Sequence, residues 1–233
     1  MKPPLIDLFN DPYNIFSYRN MTQEEIEEHK LKNNGHCFPK IKDKFLDIHS
    51  AYEAAKIAIN PEDFDASIAL SDKLFERIHK SQEFKALRKM MPSVIPRKLS
   101  EYQYKFSQKV AFDKIDAEIN ECGIFLSEEQ VLFHGGSILN GTEIGDSIVI
   151  KRPLSASFCP TKATLISDRN NMIYNENALT LLHITVVNPK TKSFVFPHTR
   201  TTKARELEVL FASGATLTLR KRELISSNRI AIK

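Results

Sequence analysis

Long apolar runs are missing from this chain. Across its 233 residues no stretch approaches the roughly 20 consecutive apolar residues that a membrane-spanning helix needs. No membrane is therefore expected among its partners. The segment MKPPLIDLFNDPYNIF carries prolines and two aspartates where the apolar core of a secretory signal would sit, so no leader of the usual kind is expected. Cysteine is scarce. Cys37, Cys122 and Cys159 are too few and too scattered for a disulfide framework, and no pair has zinc-site spacing. Reduced thiols and no metal are the expectation. Charge of one sign is not in large excess either. The net charge is +4 and the pI about 8.8, spread along the chain, which reads as a solvated basic surface rather than a nucleic-acid face.

Glycine is the most telling shortage. There are 7 glycines, and six lie at or after Gly123. The first half is poor in turn-formers and is expected to be helical; the second half is expected to be strand and loop. The class is α+β, because short strands follow helices without alternating βαβ units.

Residues 1–21, rich in Pro, Asn and aromatics without a sustained period, read as a flexible arm. Thr22 and Glu25 have capping-box spacing ahead of a charged helix. Phe45, Ile48, Tyr52, Ala55 and Ile59 recur at helical steps, and Asn60-Pro61 punctuates. Ile68, Leu70, Leu74, Phe75 and Ile78 mark another helix, and Phe84, Leu87 and Met91 a further turn or two. Ser100 is the expected cap of a helix carrying Phe106, Val110, Ile115 and Ile119, with Gly123 as its stop. Beyond it, strands are expected at Val131–Phe133, Asp146–Ile150, Leu182–Val187, Ser193–Phe196, Glu208–Phe211, Thr216–Arg220 and Arg229–Ile232. The division is 22–125, mainly helical, and 126–233, mainly β.

Three segments can carry chemistry. Leu132-Phe133-His134-Gly135-Gly136 ends a strand on a histidine with two glycines behind it, which lets a ligand approach the backbone. Taken alone it is also an ordinary strand end. Gly145 to Ser157 leads a strand into two hydroxyls, Ser155 and Ser157, with one residue between them; simple turn chemistry is the plain alternative. Arg205-Glu206-Leu207-Glu208-Val-Leu-Phe sets two carboxylates at the mouth of an apolar strand. Period-two geometry would put both on one face, an arrangement that is unfavourable unless they are solvated or used.

Each segment is unspecific alone. Their order and spacing together resemble the mono-ADP-ribosyltransferase family, in the toxin-like branch with an Arg–Ser–Glu triad. The resemblance runs from about residue 45 to 233 and is most specific between 131 and 220. The chain departs from the family pattern at His134, where that branch has arginine, and at Ala156, where it has threonine. A histidine at this place is similar to the diphtheria-toxin and poly-ADP-ribose polymerase branch.

The resemblance implies a two-sheet β-core with an NAD cleft behind the helical region. It implies cleavage of the nicotinamide–ribose bond of NAD and transfer of ADP-ribose to a protein side chain, arginine first and Ser or Thr next. Glu208 would stabilise the developing cation, Ser155 would hold Glu208 or the ribose, and Glu206 would orient or deprotonate the acceptor. His134, Gly135, Ser155, Ser157, Phe158 and Arg169 would bind NAD. Arg152 is a second candidate for the pyrophosphate and Tyr174 a second aromatic for nicotinamide. Phe158 to Asn177 would form a loop over the ligand, and the basic loop Pro197 to Arg205, with Arg200, Lys203 and Arg205, would read the target. A monomer delivered without a signal peptide into a target cell, modifying a host protein in its cytoplasm, is the implied setting, with an ordinary cytoplasmic protein as the alternative. A non-catalytic binding module and a transferase acting on nucleic acid are the competing readings.

Overall fold

The computed structural model describes residues 2–105, 111–169, 179–197 and 203–225. The helical half opens with strands. β1 (Tyr13–Asn20) pairs antiparallel with β2 (Lys40–Ile48), and α1 (Gln23–Lys32) lies between them in sequence. Thr22 and Glu25 form the expected capping box on α1, and the helix buries none of its residues. Five α-helices follow in this half among the described residues. Ser50 caps α2 (Ala51–Ile59) and Ser81 caps α4 (Gln82–Lys89), each accepting from the backbone N–H three residues on. Between them runs α3 (Phe64–Lys80), which buries Leu70, Leu74 and Ile78 at helical spacing. Pro96 precedes α5 (Arg97–Lys105), and α6 (Phe112–Cys122) closes the helical half.

The second half contributes β3 (Val131–Gly135), β4 (Ser147–Val149), β5 (Leu154–Ser157), α7 (Pro160–Arg169), β6 (Leu181–Thr185), β7 (Ser193–Val195), β8 (Glu208–Phe211) and β9 (Thr216–Thr218). Five of these strands form one sheet in the order β6-β3-β5-β8-β7, with every neighbouring pair antiparallel. β4 and β9 form a separate pair. The protein is α+β. One buried cluster joins the halves, with Leu70, Leu74, Leu87 and Ile119 of the helices packed with Leu154, Phe194, Val209 and Leu210 of the sheet.

Several expectations are corrected. Residues 1–21 are not a loose arm: Ile6, Leu8, Tyr13 and Ile15 are buried in the core. Gln130 grips Ile6 as a strand would, its side-chain oxygen accepting from the Ile6 N–H at 2.9 Å and its side-chain N–H donating to the Ile6 carbonyl at 3.0 Å. Arg77 of α3 donates to the carbonyls of Leu8 and Asp11, both at 2.6 Å, and lies over the Tyr13 ring. The apparent helical stripe from Phe45 to Ile59 is divided between β2 and α2, because Ser50 starts a new helix and Ile48 faces inward opposite Tyr13. Ser100 is inside α5 rather than its cap. Within the expected loop Phe158 to Asn177, Pro160–Arg169 form α7, and residues 170–177 lie outside the described residues. Tyr174, Arg200 and the expected strand at 229–232 lie outside the described residues.

Gly123 ends α6 as expected, but for a different reason. Its φ of −82° is one any residue adopts. What requires glycine is proximity: a Cβ there would meet the carbonyl oxygens of Ile119 at 2.5 Å and Ser193 at 2.7 Å. This seam also carries the two backbone hydrogen bonds between Ile124 and Ser193. Gly123→Ala is expected to cost about 2 kcal/mol or more by overpacking, read as a lower midpoint of urea unfolding with an unchanged slope.

Candidate active site

β5 runs between β3 and β8, so its side chains meet residues of both neighbours. In the β5–β8 register Ser157 lies opposite Glu208 and Ser155 opposite Leu210. Ser155 is therefore the diagonal neighbour of Glu208 on the same face, within reach of a side-chain bond. The Ser155 hydroxyl donates to Glu208 Oε1 at 2.7 Å. From the helical half, Gln103 Nε2 donates to Glu208 Oε2 at 2.9 Å. Glu208 is 6% exposed. Burial pushes its carboxyl above the ordinary glutamate value, against the downward pull of its two donors; the charge of Glu206 adds to the rise and that of Lys203 opposes it.

His134, near the end of β3, is joined to the same serine. Its Nδ1 is 2.6 Å from the Ser155 carbonyl oxygen. A carbonyl only accepts, so Nδ1 carries the proton and, in the neutral ring, Nε2 is an acceptor. Burial pushes the imidazole below its ordinary value, the hydrogen bond to Ser155 opposes this, and the charge of Arg152 adds to the fall. The ring is thus neutral at pH 7. Ser155 links the two expected site residues, its carbonyl to His134 and its hydroxyl to Glu208.

The two glutamates do not share a strand face. Glu206 ends a 3-10 turn, Ala204–Glu206, and Leu207 takes a left-handed conformation at φ 49° before β8 begins at Glu208. The turn replaces strand alternation, yet the two charges still act on each other. Glu206 Oε1 accepts from Lys203 Nζ at 2.7 Å. A non-glycine residue at positive φ is uncommon and often marks a functional constraint. Here Leu207, 2% exposed, anchors the turn that separates the carboxylates.

Other expected residues fall elsewhere. Ser157 is 2% exposed and fully engaged, donating to the Glu206 carbonyl at 2.7 Å and accepting from the Cys159 N–H at 2.9 Å. It shapes the turn below the glutamates rather than offering a hydroxyl to a ligand. Phe158, 1% exposed, packs edge-on against Phe84 in the core and has no face left for nicotinamide. Gly135 ends β3 opposite Leu181. Arg152 is exposed and near enough for its charge to bear on His134 and Tyr102. Arg169 is the last residue of α7, and its side chain lies outside the described residues. Arg205, in the basic loop, is tied to α3 through Asp72 at 2.6 Å and over the Phe75 ring.

The sequence reading missed Gln103 and Tyr102. Both sit in α5, more than 100 residues from Glu208 in the chain, and no spacing signal connects them to it. The Tyr102 hydroxyl is pushed up to about 12 by burial and by the Glu208 charge, with Arg152 opposing. Among the described residues, no cluster of three or more His, Cys, Asp or Glu side chains is arranged to hold a metal, and no helix is long and apolar enough to cross a membrane.

Two expected outcomes follow from this geometry. The folded state holds the Glu208 proton more tightly than the unfolded chain does, so this group's contribution to stability falls as pH rises through the carboxylate range. Glu208→Gln is therefore expected to be more stable than the wild type at pH 7. That advantage closes below the ordinary glutamate value of 4.5, as measured by chemical denaturation across pH. His134 is expected to titrate below 6.5 with the proton on Nδ1, read from long-range ¹⁵N–¹H correlations of the ring. No protein-family model, curated protein or solved structure matches the chain.

Proposed function

We propose that this protein is a mono-ADP-ribosyltransferase that cleaves NAD and passes ADP-ribose to a side chain of a target protein. The observation that carries this reading is the buried Glu208 carboxylate held by the Ser155 hydroxyl from the next strand, with His134 on the same serine. The order His134, Ser155, Glu206-x-Glu208 is the order in which the family resemblance reads these residues. In this reading the five-stranded sheet and the β4–β9 pair are the two-sheet core.

The reaction breaks the bond between nicotinamide and the ribose anomeric carbon, and the bonding electron pair leaves with neutral nicotinamide. An acceptor nitrogen or oxygen forms the new bond to that carbon and loses its proton to the Glu206 carboxylate. Positive charge grows on the ribose, as in glycoside hydrolysis, and a desolvated, preorganised carboxylate stabilises it far better than one in water. Glu208 supplies that charge. Neutral His134, with Nε2 as an acceptor, suits a sugar hydroxyl. Glu206 faces the acceptor. The Glu206-x-Glu208 order of the resemblance favours arginine as the acceptor over Ser or Thr, and the ion pair of Glu206 with Lys203 must open to admit it.

The test is incubation of the purified protein with NAD labelled in the adenylate moiety and a eukaryotic lysate. The expected result is one labelled protein band with wild type and none with Glu208→Ala. With Glu206→Gln, nicotinamide release is expected to persist while protein labelling falls by about 100-fold. Absence of both label and nicotinamide release at high wild-type concentration overturns the proposal and leaves a binding module.

A further inference from the structure

The Glu208 carboxylate is served from two directions. Ser155 comes from the sheet and takes Oε1, while Gln103 comes from α5 and takes Oε2. An ionised carboxylate only accepts, so the Gln103 amide must turn its NH2 toward Glu208. Its carbonyl oxygen is thereby aimed away from the carboxylate. That oxygen is buried and meets no donor among the described residues. Buried acceptors without a donor are uncommon and unfavourable in folded proteins. Here the orphan is the next atom in a bond network that ends on the proposed catalytic carboxylate. The orphan oxygen and the carboxylate are both acceptors, and the cis-diol of a ribose offers two neighbouring hydroxyl donors.

We propose that Gln103 belongs to the site: its amide N–H positions Glu208, and its carbonyl oxygen accepts a hydroxyl of the nicotinamide-side ribose of NAD. This rests on the reading of Glu208 as the catalytic carboxylate. It makes α5 part of the catalytic apparatus rather than packing alone, and it assigns one side chain two separable tasks.

The groups facing Glu208 are Ser155 on β5, Gln103 and Tyr102 on α5, and Lys203 and Glu206 in the 3-10 turn. Ser155 and Gln103 hydrogen-bond the carboxylate, while Tyr102, Lys203 and Glu206 interact with it through charge. Removing the Gln103 donor lifts the carboxyl further, so activity that needs the charged form is lost at higher pH as acid is added.

Two shape-preserving variants separate the tasks. Gln103→Met keeps the volume and removes both donor and acceptor. Its KM for NAD in nicotinamide release is expected to rise about tenfold, and the acid limb of kcat is expected to move to higher pH. Gln103→Glu keeps an acceptor oxygen, and its carboxyl shares a proton with Glu208, so the acid limb moves to higher pH while KM stays within about threefold of wild type. Circular dichroism and Tm establish that each variant is folded. Unchanged KM and an unmoved acid limb in folded Gln103→Met overturn the proposal.

A measurement without substrate separates this inference from the reading beneath it. The Glu208 side-chain carboxyl is followed by ¹³C NMR, its signal assigned by its loss in Glu208→Gln. Its titration midpoint is expected to be higher in Gln103→Met than in wild type. If wild type releases no nicotinamide, the transferase reading fails and the ribose contact fails with it. A midpoint that does not move overturns the hold of Gln103 on Glu208, whatever the turnover.

Discussion

A carboxylate taken out of water at the start of β8 constrains much of the rest of the molecule. An isolated buried charge is costly, and hydrogen bonds to the charged form offset part of that cost. Glu208 has two side-chain donors, one on the neighbouring strand and one on a helix from the other half of the chain. Each donor carries a structural demand. Ser155 can reach only if β5 and β8 keep their register, because a slip of one residue would turn every β5 side chain to the other face. Gln103 can reach only if α5 is docked against the sheet. Strand order, strand register and helix docking thus meet at one pair of oxygens.

The helical and β parts accordingly share one buried core. Arg88 of α4 donates to the Val195 carbonyl on β7, and the Val195 N–H points at the Met91 sulfur. Thr161 at the start of α7 donates to the Ser67 carbonyl of α3. Gly123 lets the end of α6 sit against Ser193 with no side chain between them. The boundary near residue 125 separates compositions, not bodies.

Where the controlling interaction is local, the sequence reveals it. The Thr22–Glu25 capping box, the apolar spacing of α3 and the β8 strand all depend on neighbours a few residues away, and all stand where the sequence places them. The β1–β2 pair was not visible, because a strand between mixed residues gains its meaning from a partner some thirty residues on. The burial of Ile6 and Leu8 depends on Gln130 and Arg77, so the same segment read alone looks like a tail. Among the site residues, His134, Ser155, Glu206 and Glu208 stand together and their spacing is what drew attention to them. Phe158 did not follow, because an aromatic next to a site is still free to turn into the core. Gln103 was beyond reach, since nothing in an exposed-looking Glu-Tyr-Gln-Tyr-Lys run points to a strand 105 residues away.

The clamp between Ile6 and Gln130 has a temporal consequence. Its two sides are separated by 124 residues, so on a ribosome Ile6 emerges long before the side chain that holds it. Until then Ile6 and Leu8 are exposed apolar groups on a growing chain, open to chaperones and to wrong contacts. Closing so long a span is also slow compared with forming the helices in between. Ile6 and Leu8 are therefore made well before they can find their place, and this part of the core is sealed only after Gln130 has been synthesised.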